Sequence, residues 1–112
     1  MDRSVTITMS DPGSAAAFIV MDALWEEMQR RRQFQAPNPL PDAMQAPGVC
    51  LWLALDGARP LGGIALVPLK ERQAEIELLY VMPAERGTGL ATRLLSTLEQ
   101  YALANDIDRI SI

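Results

Sequence analysis

The sequence predicts one mixed α/β (α+β) domain, with a run of antiparallel strands followed by a strand–helix–strand step. Three observations predict it. Apolar residues alternate with polar ones in some stretches and recur every three or four positions in others, so strands and helices are both present. Three strand-like runs follow one another with only short turns between them, as in an antiparallel meander. The last of them leads through a helix into a further strand, a step that favours a parallel pair with a right-handed crossover. The 112 residues, 49% hydrophobic and 21% charged, suit a single domain over residues 1–112. A chain of this size buries roughly 65% of its unfolded surface, enough for one core.

The first strand is Val5 to Met9, where apolar residues alternate with Thr. Ser10 and Asp11 then offer N-cap oxygens and Pro12 suits the first helical position. A helix to about Arg32 follows, with Phe18, Met21, Trp25 and Met28 on one apolar face. Glu26 with Arg30, and Glu27 with Arg31, form i,i+4 pairs on its wet side. The cations Arg30, Arg31 and Arg32 complement the helix dipole in the last turn. From Gln33 to Gly48, prolines at 37, 39, 41 and 47 leave a loop with at most one turn of helix near Asp42 to Gln45. A loop of this length is either a binding lid or surface filler.

Val49 to Leu55 is the second strand, Asp56-Gly57 a turn, and Leu61 to Leu69 the hairpin partner. Gly62 and Gly63 inside that partner suggest a bulge or a close backbone approach. After an exposed turn at Lys70, Glu71 and Arg72 comes a strand from Ala74 to Val81. The second helix, about Thr88 to Ala104, carries Leu90, Leu94, Leu98 and Tyr101 on one face, and Ile107 to Ile112 begins a last strand.

Composition excludes several chemistries. Fourteen acidic against ten basic residues leave a net charge of -4, which argues against a nucleic-acid partner. Histidine is absent, which removes Ser-His-Asp and Cys-His machinery and most zinc sites, so no metal is expected. Cys50, the single cysteine, removes disulfide frameworks and fits a reducing cytoplasmic compartment. It lies in an apolar strand and reads as core, not as a nucleophile. The apolar run from Ala15 stops at Asp22, too short to span a bilayer, so no membrane partner is expected.

The chemistry concentrates in Glu75 to Ala91. A strand leads through Arg86-Gly87-Thr88-Gly89 into a helix. Glycines let backbone approach a ligand, and the unpaired N–H groups of a helix start make an anion site suited to a pyrophosphate, to which Arg86 adds a charge-assisted contact. The segment is not a Walker A loop, because no Lys follows Gly89. Nor is it a dinucleotide fingerprint, because Thr92 holds the third glycine slot. A merely structural glycine turn is the remaining alternative.

Val81-x-Pro83 followed by Arg86-Gly87-Thr88-Gly89-Leu90-Ala91 resembles motif A of the GNAT N-acetyltransferases, Gln/Arg-x-x-Gly-x-Gly/Ala. The resemblance covers about Val49 to Ile112 and is only an outline before that. It implies a GNAT-like mixed sheet with antiparallel N-terminal strands and helices on both faces, in which Leu79, Tyr80 and Val81 pair with the pantetheine arm of acetyl-CoA. Arg86, Gly87, Thr88, Gly89, Leu90, Ala91 and Thr92 would cradle the pyrophosphate. The N–H of Leu79 or Tyr80 would meet the thioester oxygen as charge develops on it. The amine would enter from the other side, past the Pro-rich lid.

Acyl transfer requires a neutral amine, and without histidine a carboxylate or a water chain must take the proton. Glu75 and Glu77 are the candidate bases, expected by alternation on the same face as Leu79 and Val81. Glu75 also stands four residues before the first pantetheine position, where histone-type members of the family keep their base. Either would need burial to raise its pKa; the alternative is that both are solvated. Trp52 and, on the lid, Phe34 are candidate substrate contacts, with packing the competing role for Trp52.

Family members usually continue through another helix and two strands, often with a tyrosine that protonates the departing thiolate. Tyr80 and Tyr101 are the only tyrosines, and neither stands there. The domain is therefore expected to be incomplete at its C-terminus, with an unpaired edge at Ile107 to Ile112 that would favour a homodimer or aggregation. Turnover by this chain would be reduced or absent while CoA binding persists. The expected function is direct acetyl transfer from acetyl-CoA to a small-molecule or peptide amine in a ternary complex. The acidic balance leans towards cationic acceptors. The alternatives are a non-catalytic acyl-CoA-binding or regulatory module and a structural interaction domain.

Overall fold

Five strands lie side by side in chain order: β1 (Val5–Ser10), β2 (Cys50–Asp56), β3 (Arg59–Pro68), β4 (Gln73–Val81) and β5 (Arg109–Ser111). They are seen in a computed structural model that describes residues 4–32 and 36–112. The first four form a continuous antiparallel set, β1 with β2, β2 with β3 and β3 with β4. The fifth is parallel to β4 and reached through helix α3 (Leu90–Ala104), as the strand–helix–strand order predicts. Helices α1 (Ala15–Arg32) and α2 (Leu40–Met44) fill the β1–β2 connection.

Strand alternation separates two apolar layers. Leu51, Leu53, Ala65, Leu78 and Tyr80 pack with Ala17, Val20 and Met21 of α1 and Met44 of α2. On the other face Trp52, Ala54, Leu61, Ile64, Leu66 and Ala74 pack with Leu90, Leu94 and Leu98 of α3. The mixed sheet with helices on both faces is the architecture that the family resemblance implies.

Several local expectations need correction. The cap of α1 is Ser14, whose Oγ accepts from the Ala17 N–H at 3.2 Å; Asp11 instead closes a preceding turn through Gly13 N–H at 2.8 Å. Pro12 therefore sits before the helix, which starts at Ala15. The buried face of α1 is set by Ala17, Val20 and Met21, while Phe18 is 37% exposed and Trp25 and Met28 are half-buried. Alanine allows α1 to lie close to the sheet, which rotates the larger side chains to the flank. Trp25 uses its position to donate Nε1–H to Ala36 O at 3.0 Å. Of the two expected i,i+4 pairs, Glu27–Arg31 forms at 3.5 Å. The single turn of helix in the Pro-rich loop is Leu40–Met44, earlier than Asp42 to Gln45. Helix α3 begins at Leu90, not Thr88, and the last strand is confined to Arg109–Ser111.

Two bulges shape the centre of the sheet. The β2–β3 register shifts between Ala54 and Leu55, so Ala54 faces Gly62 while Leu55 faces Pro60. In the β3–β4 pair, Leu66 faces Ile76 and Ala65 faces Leu78, which leaves Glu77 as the extra residue. Gly62 is a close approach: a Cβ there would lie 2.5 Å from Tyr80 O.

Candidate functional site

The site is assembled on the end of β4. Beyond the three residues that pair with β5, no strand among the described residues lies along β4 on the side away from β3. The Met82 N–H donates to Leu61 O at 2.9 Å, and antiparallel ladders alternate. The N–H and C=O of Tyr80 therefore face β3, whereas those of Leu79 and Val81 face the open edge. Leu79, 43% exposed, marks that edge at the surface. Of the N–H groups of Leu79 and Tyr80, only that of Leu79 points to the open edge.

The edge runs into the glycine turn. After a 3-10 turn at Pro83–Glu85, Gly87 and Gly89 adopt φ of +82° and +83°, left-handed values that L side chains resist. A Cβ at either would meet nothing within 4 Å, so the space over both is open. Thr88 folds its hydroxyl back to donate to Glu85 O at 2.6 Å. The first N–H at the start of α3 with a backbone acceptor is that of Arg93, donating to Gly89 O at 3.2 Å. The N–H groups of Gly87, Thr88, Gly89, Leu90, Ala91 and Thr92 have no backbone acceptor among the described residues. The dipole of a fifteen-residue helix lies behind them, which makes this end of α3 the positive, donor-rich end.

Arg86 is engaged differently from its sequence expectation. Its Nε donates to Val81 O at 3.0 Å, and Nη1 and Nη2 donate to the two Glu27 oxygens at 3.3 and 2.8 Å. The guanidinium also lies 5.4 Å from the Tyr80 ring centroid. Arg86, Glu27 and Tyr80, with Leu24, Met28 and Arg31, line an open cleft of about 220 Å³ on the α1 face. The Arg86 hydrogen bonds, then that of the Tyr80 hydroxyl, hold the Glu27 carboxyl below its ordinary value of 4.5. Burial, then the hydrogen bond to Glu27, pushes the Tyr80 phenol above 10.0.

Glu75 and Glu77 do not share a face with Leu79 and Val81 as simple alternation requires. Ala74 and Ile76 pack on the α3 side, and so does Val81, while Leu78 and Tyr80 pack on the α1 side. The bulge at Glu77 shifts the phase by one residue, so Glu75 belongs with Leu78 and Tyr80. Glu75 is half-buried and Glu77 exposed. Trp52 is only 4% exposed, in the α3-side core, its ring edge-on to Tyr101 at 5.1 Å. It does not line the cleft. Cys50, half-buried, donates to the Tyr101 hydroxyl at 3.3 Å. Phe34 lies outside the described residues. The residue missed by sequence reading is Glu27, whose partner Arg86 is 59 positions away. Only its helical pairing with Arg31 was visible locally.

Among the described residues no group of three or more His, Cys, Asp or Glu is placed to hold a metal, and no helix is long and apolar enough to cross a membrane. No curated protein matches the chain. Among solved structures, the fold is similar to that of a GNAT family acetyltransferase from Staphylococcus aureus Mu50, with 16% identity and a TM-score of 0.79 over 96% of this chain and 72% of that one. It is also similar to an aminoglycoside acetyltransferase from an uncultured soil metagenomic sample in complex with sisomicin. There the identity is 17% and the TM-score 0.76, over 96% of this chain and 76% of that one. An aminoglycoside 6'-N-acetyltransferase complexed with coenzyme A gives 18% identity and a TM-score of 0.72, over 88% of this chain and 56% of that one. The family model described as Acetyltransferase (GNAT) family matches residues 17–112, and the chain belongs to that family.

Proposed function

We propose that the chain binds acetyl-CoA along the open edge of β4 and transfers its acetyl group directly to a primary amine, without a covalent enzyme intermediate. The observation that carries this reading is the continuity of two unpaired backbone surfaces. The outward N–H and C=O groups of Leu79 and the N–H of Val81 lead into the six N–H groups of Gly87 to Thr92, which have no backbone acceptor among the described residues. An extended amide-bearing arm attached to a pyrophosphate is complementary to that sequence of groups. The family and the coenzyme A complex of one structural neighbour support the same ligand.

Acyl-CoA supplies an activated thioester. The chain's part is to align it, neutralise developing charge and move protons. The Leu79 N–H meets the acyl oxygen as it becomes negative. A carboxylate, Glu75 or the bulge residue Glu77, accepts a proton from the incoming ammonium, directly or through water. The amine nitrogen forms the C–N bond, the C–S bond breaks, and the departing thiolate takes up a proton. Several neighbours are aminoglycoside acetyltransferases, so polycationic amines are the first acceptors to try.

The test is calorimetric titration of acetyl-CoA into the chain, with adenosine as control, followed by Gly89→Val. Saturable binding to the wild type that adenosine fails to reproduce and Gly89→Val abolishes is expected. Equal binding by the folded variant would refute the cradle. Thiol release with an amine panel then tests transfer, and Glu75→Gln and Glu77→Gln should lower the rate chiefly at neutral pH.

A further inference from the structure

We infer that Glu27 is a positioning residue: its carboxylate holds Arg86 as a brace across the end of β4, and Arg86 serves the site through that brace, not as a direct phosphate ligand. The inference rests on the acyl-CoA reading above. Three of the five guanidinium N–H groups are already committed, one to Val81 O and two to Glu27. The planar group is thus fixed along its edge, and its face is set against Tyr80. Its charge is matched by the carboxylate it grips. An arriving anion meets a neutralised pair at Arg86 and must find its donors in the N–H groups that follow.

The brace has consequences on both sides of Arg86. Before it, Val81 O faces the open edge, and the Nε contact occupies it. The groups left to pair with an extended ligand are then Leu79 N–H and C=O and Val81 N–H. After it, the chain enters the left-handed Gly87, so the location of Arg86 sets where the cradle begins. Glu27 can impose that location because it stands on α1, which is anchored by Ala17, Val20 and Met21 with no exposed surface. A second arginine, Arg31, leans on the same carboxylate at 3.5 Å but is 78% exposed and adds little constraint.

The two roles for Arg86 predict opposite signs. If Arg86 were a direct phosphate ligand, removing the neighbouring negative charge would free its guanidinium and strengthen binding of a polyanion, or leave it unchanged. If Arg86 is a brace, the same change loosens the cradle and weakens binding. Coenzyme A is titrated calorimetrically into the full chain as wild type, Glu27→Gln and Glu27→Asp at one salt concentration, with the thermal midpoint of each recorded. Glu27→Gln is expected to bind about tenfold more weakly, the size of one charge-assisted contact. Glu27→Asp keeps the charge but shortens the reach, so weaker binding there too supports the brace, and unchanged binding by it overturns the brace even if Glu27→Gln fails to fold. Binding by Glu27→Gln as tight as wild type or tighter overturns the inference while leaving the acyl-CoA reading intact. Failure of the wild type to bind coenzyme A overturns that reading, and this inference with it.

Discussion

Replacing Gly62 by alanine tests the close approach of β3 to the end of β4. The new Cβ would lie 2.5 Å from Tyr80 O and 3.2 Å from Val81 Cα, both backbone atoms that cannot rotate away. The first distance is ~1 Å short of ordinary contact, so the strands must part there. The hydrogen bond from Met82 N–H to Leu61 O, 2.9 Å long, is next in line to stretch. Overpacking of this kind costs about 1–3 kcal/mol. Alanine restricts the unfolded chain and returns about 0.4–1 kcal/mol. The net loss is then about 0–2.6 kcal/mol, centred on ~1.3 kcal/mol, which lowers the thermal midpoint by about 5 °C for a domain of this size. Gly63→Ala is the control. Its nearest contact, 3.0 Å, is Leu53 Cδ2, the movable end of a side chain, with Trp52 O next at 3.2 Å. It should cost less. Thermal unfolding followed by circular dichroism gives both values. A Gly62→Ala chain as stable as the wild type would refute the steric argument.

Leu94 has no exposed surface and stands at the centre of the α3 layer, so Leu94→Ala should lose about 2–5 kcal/mol. Urea denaturation should show a lower midpoint with an unchanged m-value; a changed m-value would mean that the compactness of one state had altered. Glu27 has a folded pKa below its unfolded value, so its contribution is present above 4.5 and lost as pH falls through the lower folded value. Acidification should therefore lower the thermal midpoint of the wild type more steeply than that of Glu27→Gln. Parallel curves for the two chains would count against the Glu27–Arg86 pair.

What could be read from the sequence was what depends on near neighbours. The strands, the glycine turn and α3 follow from short-period patterns, and the left-handed Gly87 and Gly89 are local requirements of the backbone. Side-chain size does not track depth on α1, so its buried face is not legible from the spacing of large apolar residues. A helix that packs closely on a sheet buries small residues, here Ala17, and leaves Phe18 at the margin. Alternation failed at Glu77 because nothing in Glu75-Ile76-Glu77-Leu78 marks an extra residue; the bulge is decided by how β4 meets β3. Glu27 was hidden for a similar reason. Its contact with Arg86 exists only once α1 lies across the end of β4.

The agreement between sheet order and chain order also has a kinetic consequence. Strands β2, β3 and β4 are consecutive and joined by short turns, so the central meander closes only small loops as it forms. Strand β1 must close the whole of Asp11 to Val49 before it can pair with β2. Loop-closure entropy rises by about 0.6 kcal/mol for each doubling of loop length, and early contacts favour the short loops. The meander is thus the natural nucleus, with β1 joining after the barrier has been crossed. Weakening β1 would then speed unfolding while leaving the folding rate nearly unchanged. The edge farthest from the candidate site would govern how long the folded chain lasts, and its centre how quickly it is made.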